Sequence, residues 1–418
     1  MLFKKSLFFL IVFFAAWSIS AAQEISGDVF GKQKRHYHPG AALGFEYTDN
    51  LYNTKSDKES DFTTVFSPSI AFSAPGSRDV ELILNSETGA PGGLALSRDT
   101  LESTDKYLAY LIYNPKAEWY AENSRENMVS HNAKAAGQLN FSGGLLIDMA
   151  VKYATASEKR GEVGKRETDE YEDILYNLII RYDVSPKLFF EGSFSGYKID
   201  YDLSESQFRN RDDLSWSLSA GYRISPKTSF SLEYQRADVD YDKPYSPTST
   251  ANYYHDNTEE IYSANVSWDI TAKSKGKFKI GSSEKELDSG ESSDDLFMEL
   301  NLNHSFTTRT SVQFAAARRF YETNFGYADF YVSDRISIFY NQELSSRING
   351  KINFYFTKDD YSGVDLKNKI YEIGPSLEYN LNDWFSAETG YLFETRDSNY
   401  SVLEYDTNRF YLSFNAEF

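Results

Sequence analysis

The feature that most restricts this chain is a two-residue alternation of apolar and polar side chains, held up to the last residue. Phe410, Leu412, Phe414, Ala416 and Phe418 share one face of an extended segment, and Tyr411, Ser413, Asn415 and Glu417 share the other. Successive side chains of a β-strand point to opposite faces, so this segment is apolar on one side and wettable on the other. The pattern returns in Leu214, Trp216, Leu218, Ala220 and Tyr222, set against Ser215, Ser217, Ser219 and Arg223. It returns again in Tyr262, Ala264, Val266, Trp268 and Ile270, and in Ile352, Phe354 and Phe356. Such segments, repeating about every 20 residues, describe a large antiparallel meander.

A soluble β-sandwich also alternates, but its apolar faces must cover each other and its strands run shorter. The connections separate the two cases. Short ones, such as Ser185-Pro186-Lys187, Ser225-Pro226-Lys227 and Asn382-Asp383-Trp384, alternate with long charged ones near 156–169, 200–211, 240–257 and 321–330. Outer-membrane barrels combine short periplasmic turns with longer extracellular loops. The expected fold is therefore all-β, a transmembrane antiparallel up-and-down β-barrel. Its strands are read at 39–50, 61–74, 107–122, 131–142, 145–156, 168–184, 187–200, 211–224 and 227–239. They continue at 257–270, 273–285, 293–306, 309–321, 330–345, 348–358, 367–381, 384–396 and 405–418. That makes about 18 strands, an even number as single-chain bacterial barrels have. Counts of 16 or 20 are the alternatives, 20 if Asn114-Pro115-Lys116 is a turn.

The N-terminus sets the compartment. Lys4 and Lys5 precede an apolar run from Leu7 to Trp17, followed by Ser20-Ala21-Ala22. This is the pattern of a secretory signal peptide, with residues 1–22 removed on export. Residues 23–38 are then a periplasmic extension and 39–418 the barrel, in the outer membrane of a Gram-negative cell. An insertion at 75–106 fits no wall strand; it lies on the periplasmic side or folds into the lumen. It carries Gly89-Ala90-Pro91-Gly92-Gly93.

Composition agrees. The chain has 32 Tyr and 31 Phe but a mean hydropathy of −0.53, as expected of strands with one lipid-facing side. A net charge of −19 argues against nucleic acid as a partner. The absence of cysteine excludes disulfides, a lipoprotein anchor and Cys-based metal or nucleophile chemistry. The histidines, His36, His38, His131, His255 and His304, have no metal-ligand spacing. No nucleophile motif or phosphate-binding loop is present. The reading is a non-enzyme with no catalytic, cofactor or metal residues.

Strand parity assigns Lys134, Lys152, Arg181, Glu191, Glu233, Arg319, Arg335, Lys351, Glu372 and Glu388 to the lumen wall. Their signs are mixed, which suits a hydrated pore or plug, or salt bridges across the wall. Trp119, Tyr120, Tyr182, Tyr222, Tyr241, Trp384 and Tyr391 read as interfacial aromatic girdles, with sugar stacking as the alternative for any that face inward. Phe410, Leu412, Phe414 and Phe418 form the terminal pattern read by the barrel-insertion machinery. Outer-membrane lipid and lipopolysaccharide are the surroundings such a wall requires.

Gly44-Phe45-Glu46-Tyr47-Thr48-Asp49-Asn50-Leu51-Tyr52, followed by Ser60-Asp61-Phe62 and Ser67-Pro68-Ser69-Ile70, resembles the β-barrel porins encoded beside exopolysaccharide biosynthesis and exosortase genes. The similarity continues at Tyr113 to Tyr120, at Ser130-His131 and at the Ser-Pro-Lys turns; the insertion at 75–106 departs from it. The resemblance implies an outer-membrane channel for export of an extracellular polysaccharide, with periplasmic polysaccharide-export proteins as partners. A general diffusion porin or small-solute channel, and a non-conducting structural or adhesive barrel, are the alternatives.

Overall fold

The computed structural model describes residues 35–77, 84–94, 96–98, 100–101, 103, 105–158, 160, 168–248, 251–271 and 273–417. Residues 1–22, expected to be a signal peptide, residues 23–34 and Phe418 lie outside the described residues. The first half of the chain forms β1 (Arg35–Thr48), β2 (Asp61–Ser77), β3 (Tyr107–Tyr113), β4 (Lys116–Tyr120), β5 (Met128–Asn140), β6 (Leu145–Ser157), β7 (Glu170–Asp183), β8 (Leu188–Tyr201), β9 (Arg211–Ser225) and β10 (Thr228–Tyr241). A small hairpin, β11 (Tyr245–Thr248) and β12 (Ala251–Tyr253), follows. The second half forms β13 (Asn257–Thr271), β14 (Ser274–Leu287), β15 (Ser292–Thr307), β16 (Thr310–Glu322), β17 (Phe330–Ser345), β18 (Ile348–Tyr361), β19 (Lys367–Asn382), β20 (Phe385–Ser398) and β21 (Tyr405–Glu417).

Wall strands pair antiparallel with their neighbours in order, and β1 pairs with β21 from Gly40–Glu417 to Thr48–Arg409, which closes the barrel. Both β3 and β4 run between β2 and β5. The register is unbroken across them: Ile70 faces Tyr113 and Phe66 faces Ala117, which sets Pro68 opposite Pro115. Proline has no N–H to give the ladder, so two facing prolines open a gap in one strand. Asn114-Pro115-Lys116 is thus an interruption rather than a turn, and the barrel has 18 strands.

The alternation places each face as the barrel requires. On β7, Asp173, Leu175, Asn177 and Ile179 are buried, while Ile174, Tyr176, Ile180 and Tyr182 are exposed to the outside. Leu218 and Leu232 are likewise about 60% exposed, the arrangement of a wall whose outer solvent is lipid. Short turns cluster at one end, with the start of β1 and the end of β21; β1, β6 and β10 run to the other end, where they lead into the long connections. Residues 35–38, expected in a periplasmic extension, are the first turn-side residues of β1; His36 Nδ1 lies 2.8 Å from the Ser73 carbonyl. Two expected girdle residues point inward instead. Tyr120 is buried beneath Arg160, and the Tyr241 hydroxyl donates to Glu322 at 2.8 Å.

Candidate functional site

The connection between β2 and β3 leaves the wall at the short-turn end and enters the bore. Its described residues, from Leu84 to Lys106, touch strands on opposite sides of the barrel. Arg98 pairs with Asp148 on β6 at 2.6 Å and donates to Asn177 on β7 at 2.7 Å. The Leu101 N–H takes the other Asp148 oxygen at 2.7 Å. Ser86 donates to Asp173 and lies against Lys152, and Lys134 donates to Asn85 at 2.8 Å. Further round, the Gly92 N–H donates to Asp213 on β9 at 2.9 Å. On the far side, Lys279 of β14 donates to Ser97 at 2.9 Å, and Ser97 to Glu299 of β15 at 3.2 Å. Arg319 donates to the Leu94 carbonyl at 2.9 Å, and Arg335 pairs with Glu87. A polar interior makes this possible, because the segment's backbone and charged groups find partners that an apolar core would deny them.

The tip of the segment owes its shape to glycine. Glu87 N–H donates to the Gly93 carbonyl at 2.9 Å, closing a tight loop through Pro91. Gly93 has φ +75°, and a Cβ there would stand 2.4 Å from Cγ of Tyr197. Only glycine meets both demands. Leu84 packs with Ala136, Ala150, Leu175, Tyr197, Ile199 and Tyr201, an apolar patch on the inner wall that the segment covers.

A second element also leaves the wall. Among the described residues the pairing of β15 with β16 ends at Met298–Arg318, although β15 continues along β14 to Ser292 and β16 along β17 to Glu322. Beyond that point the outward face of the β16–β17 hairpin packs on the inward face of its neighbours. Glu322 forms a fully buried ion pair with Lys285 of β14 at 2.6 Å and accepts from Asn257 of β13 at 3.0 Å. Phe320 and Phe330 pack with Leu287, and Lys285 sits 5.9 Å from the Phe330 ring. The end of the hairpin therefore lies inside the bore. Its inner face meets the segment through Arg319 and Arg335, and the Glu322 N–H donates to the Gly89 carbonyl at 2.6 Å.

The residues that parity assigned to the lumen fall into three places. Lys134, Lys152, Arg319 and Arg335 hold the bore segment directly, and Glu233 does so through Lys279 at 2.6 Å. Arg181 and Glu191 face each other at 3.8 Å near the short-turn end, where Asp183 and Arg223 pair at 2.7 Å. Lys351 bridges Glu378 and Glu388, each at 3.0 Å, and the Tyr411 hydroxyl donates to Glu388 at 3.0 Å. Glu372 is buried further along β19, opposite Tyr355 of β18 and Glu394 of β20. Each of these cations has a carboxylate or segment partner, so no single-sign ring forms. Phe410 and Leu412 face outward, and Phe414 lies opposite Leu43 across the closing seam.

Sequence reasoning missed Arg98, Glu87, Arg211, Asp213, Lys285 and Glu322. Arg211 and Asp213, paired at 2.9 Å, continue the polar parity of Ser215, Ser217 and Ser219 and were within reach of that rule. Lys285 keeps the parity of Lys279 on β14 and was within reach as well; Arg98, Glu87 and Glu322 were not. Arg98 and Glu87 lie in the stretch that fits no wall strand, and Glu322 faces inward only because its hairpin has turned over. The inner tyrosines were also undercounted: Tyr321, Tyr331 and Tyr361 stack in sequence with ring centres 5.4 and 4.8 Å apart.

This geometry holds a closed barrel around a folded-in segment. Among the described residues no group of three or more His, Asp or Glu could hold a metal ion. The barrel resembles solved outer-membrane barrels in architecture. OccAB3 of Acinetobacter baumannii aligns over 91% of this chain and 99% of its own, with 10% identity and a TM-score of 0.43. A BenF-like porin of Pseudomonas fluorescens Pf-5 aligns over 91% and 99%, with 8% identity and a TM-score of 0.45. The FrpB iron transporter of Neisseria meningitidis aligns over 96% and 83%, with 8% identity and a TM-score of 0.43. No curated protein sequence matches the chain. The profile of one family matches residues 37–418, from the start of the first strand to the last residue: this chain is an outer-membrane β-barrel belonging to the family described as "Putative beta-barrel porin 2".

Proposed function

We propose that the barrel is a passive conduit for an uncharged, hydroxyl-rich polysaccharide leaving the cell, closed at rest by the bore segment. The observation that carries this reading is the character of the inner wall. Its charges are compensated in pairs, as in Lys351 with Glu378 and Glu388 and Arg181 with Glu191. A compensated wall presents little net field to an ion, whereas its carboxylates and guanidinium groups remain able to exchange hydrogen bonds with sugar hydroxyls. The inward Tyr411, whose hydroxyl donates to Glu388, adds a ring on which a sugar can stack. Such contacts are individually weak, so a chain can slide from one to the next. Periplasmic export proteins would dock on the short-turn end, where the bore segment enters.

Deletion of the gene in its native host, with surface and periplasmic polysaccharide measured separately, tests this reading. Loss outside with accumulation or shutdown inside, reversed by the intact gene, is the expected result. Unchanged polysaccharide would remove the export reading; solute uptake that depends on the gene would then identify a small-solute channel.

A further inference from the structure

We propose that the end of the β16–β17 hairpin is a movable gate that exchanges between two strand partners, the bore segment when closed and β15 when open. The proposal rests on the reading of the bore segment as the closure of a conduit. Three observations carry it. The first is the interrupted ladder: register continued beyond Met298–Arg318 would place Phe297 opposite Arg319, Asp295 opposite Tyr321 and Asp294 opposite Glu322. Those positions remain in strand conformation on both sides, held by β14 and β17, yet they are not paired with each other. Two strand edges in matching register are a ready template for pairing.

The second is that a substitute partner occupies the vacated position. The Glu322 N–H, on the edge of β16 that faces away from β17, donates to the Gly89 carbonyl at 2.6 Å. Three residues earlier on the same strand, the Arg319 side chain donates to the Leu94 carbonyl at 2.9 Å. The same edge cannot serve β15 and the segment together, so pairing with one releases the other. The third is that the inward position is latched at its end rather than along its length. Glu322 meets Lys285, Tyr241 and Asn257, and the hairpin tip at Ala328 accepts from His255 at 3.1 Å. At the hinge, Arg318 reaches Asp295 at 2.8 Å and Asp334 at 2.5 Å, an ion triad spanning the point where the two strands part. Side-chain latches with an intact hinge are the arrangement of an element with two positions.

The chain has no cysteine, so paired cysteines report on the two positions without background. At Gly326, in the hairpin tip, a Cβ would stand 2.4 Å from Cγ of Tyr245, which puts the two Cβ atoms within disulfide reach. Oxidised Gly326→Cys/Tyr245→Cys locks the gate inward; Asp295→Cys/Tyr321→Cys traps it against β15. Single-channel recording of purified, refolded protein in planar bilayers reads the outcome, with heat-modifiable gel mobility confirming each barrel. Glu322→Gln is expected to raise the time spent open at least tenfold. Adding the oxidised 245–326 pair should abolish those openings until reductant restores them, and the 295–321 disulfide should form in Glu322→Gln and hold the channel open. Openings that persist with the lock oxidised, or a 295–321 pair that never forms in folded protein, overturn the gate. Deleting residues 86–94 separates the two readings. If that deletion leaves conductance unchanged, the closure role of the segment fails; if it opens the barrel while the cysteine pairs change nothing, only the gate fails.

Discussion

Asp148→Asn is the sharpest perturbation of the bore segment. The Asp148 carboxylate is fully buried and serves two ends of the segment, the Arg98 guanidinium at 2.6 Å and the Leu101 N–H at 2.7 Å. Arg98 is itself only 5% exposed, so the amide would leave a buried cation without its counter-ion, and solvent screening offers little relief. Breaking such a pair from one side costs about 3–5 kcal/mol. Arg98 keeps its bond to Asn177, which puts the cost near the low end, about 3 kcal/mol. That cost falls on the seated segment alone, because a displaced Arg98 is hydrated. The seated-to-displaced ratio should therefore fall by roughly 100-fold, at about 1.4 kcal/mol per decade. Planar-bilayer conductance is the assay, with heat-modifiable mobility showing that the wall is intact. Arg98→Met combined with Asp148→Asn removes the stranded charge and should recover most of the closed state. If Asp148→Asn folds normally and conducts as the wild type does, the segment is not held by this pair and the reasoning fails.

Other outcomes follow from the same geometry. Gly93→Ala should displace the segment tip, since the left-handed conformation alone costs an L-residue about 1–2 kcal/mol and the methyl also meets the Tyr197 ring; protease nicking near residue 93 should rise, and unchanged protection would count against the packing. Leu218→Arg, on the outer face, should lower barrel stability by roughly 2–4 kcal/mol in vesicle unfolding titrations, as charges do near the bilayer midplane. No loss there would contradict the assigned lipid face. His255, in a loop beyond the wall, is shifted below the usual imidazole value by burial, opposed by the Ala328 carbonyl and by Glu322, Asp329 and Asp256; the rings of Tyr241 and Phe208 also face it. Its lowered value means the neutral ring is the folded form: its contribution to loop packing is present above the unfolded pKa of about 6.5 and is lost as pH falls through the lower folded value. Protease sensitivity of loops 242–256 and 323–329 should rise on acidification in the wild type and lose that pH dependence in His255→Gln.

The wall was legible because every wall residue answers to a local rule. A strand one face of which meets lipid must alternate, and the boundaries read from that alternation differ from those observed by a few residues; β17 runs Phe330–Ser345, as read. Asn114-Pro115-Lys116 was ambiguous because proline marks both turns and strand gaps, and only its position opposite Pro68 decides between them. The candidate site was half legible. Lys134, Lys152, Arg319 and Arg335 follow wall parity, but what they hold does not, since the segment carrying Ser86, Glu87 and Arg98 has no lipid face to impose a period.

The sequence by itself determined the class of the molecule: an alternating wall with its apolar side outward, short and long connections at opposite ends, and an even strand count. These depend on one residue and its near neighbours against a fixed solvent. Tertiary structure alone decided what fills the bore. Arg98 reaches Asp148, Gly93 reaches Tyr197, and Glu322 turns inward to Lys285, through contacts between residues 50, 104 and 37 positions apart. Which charge finds which partner inside a closed ring depends on where the ring carries each strand, and no local period encodes that.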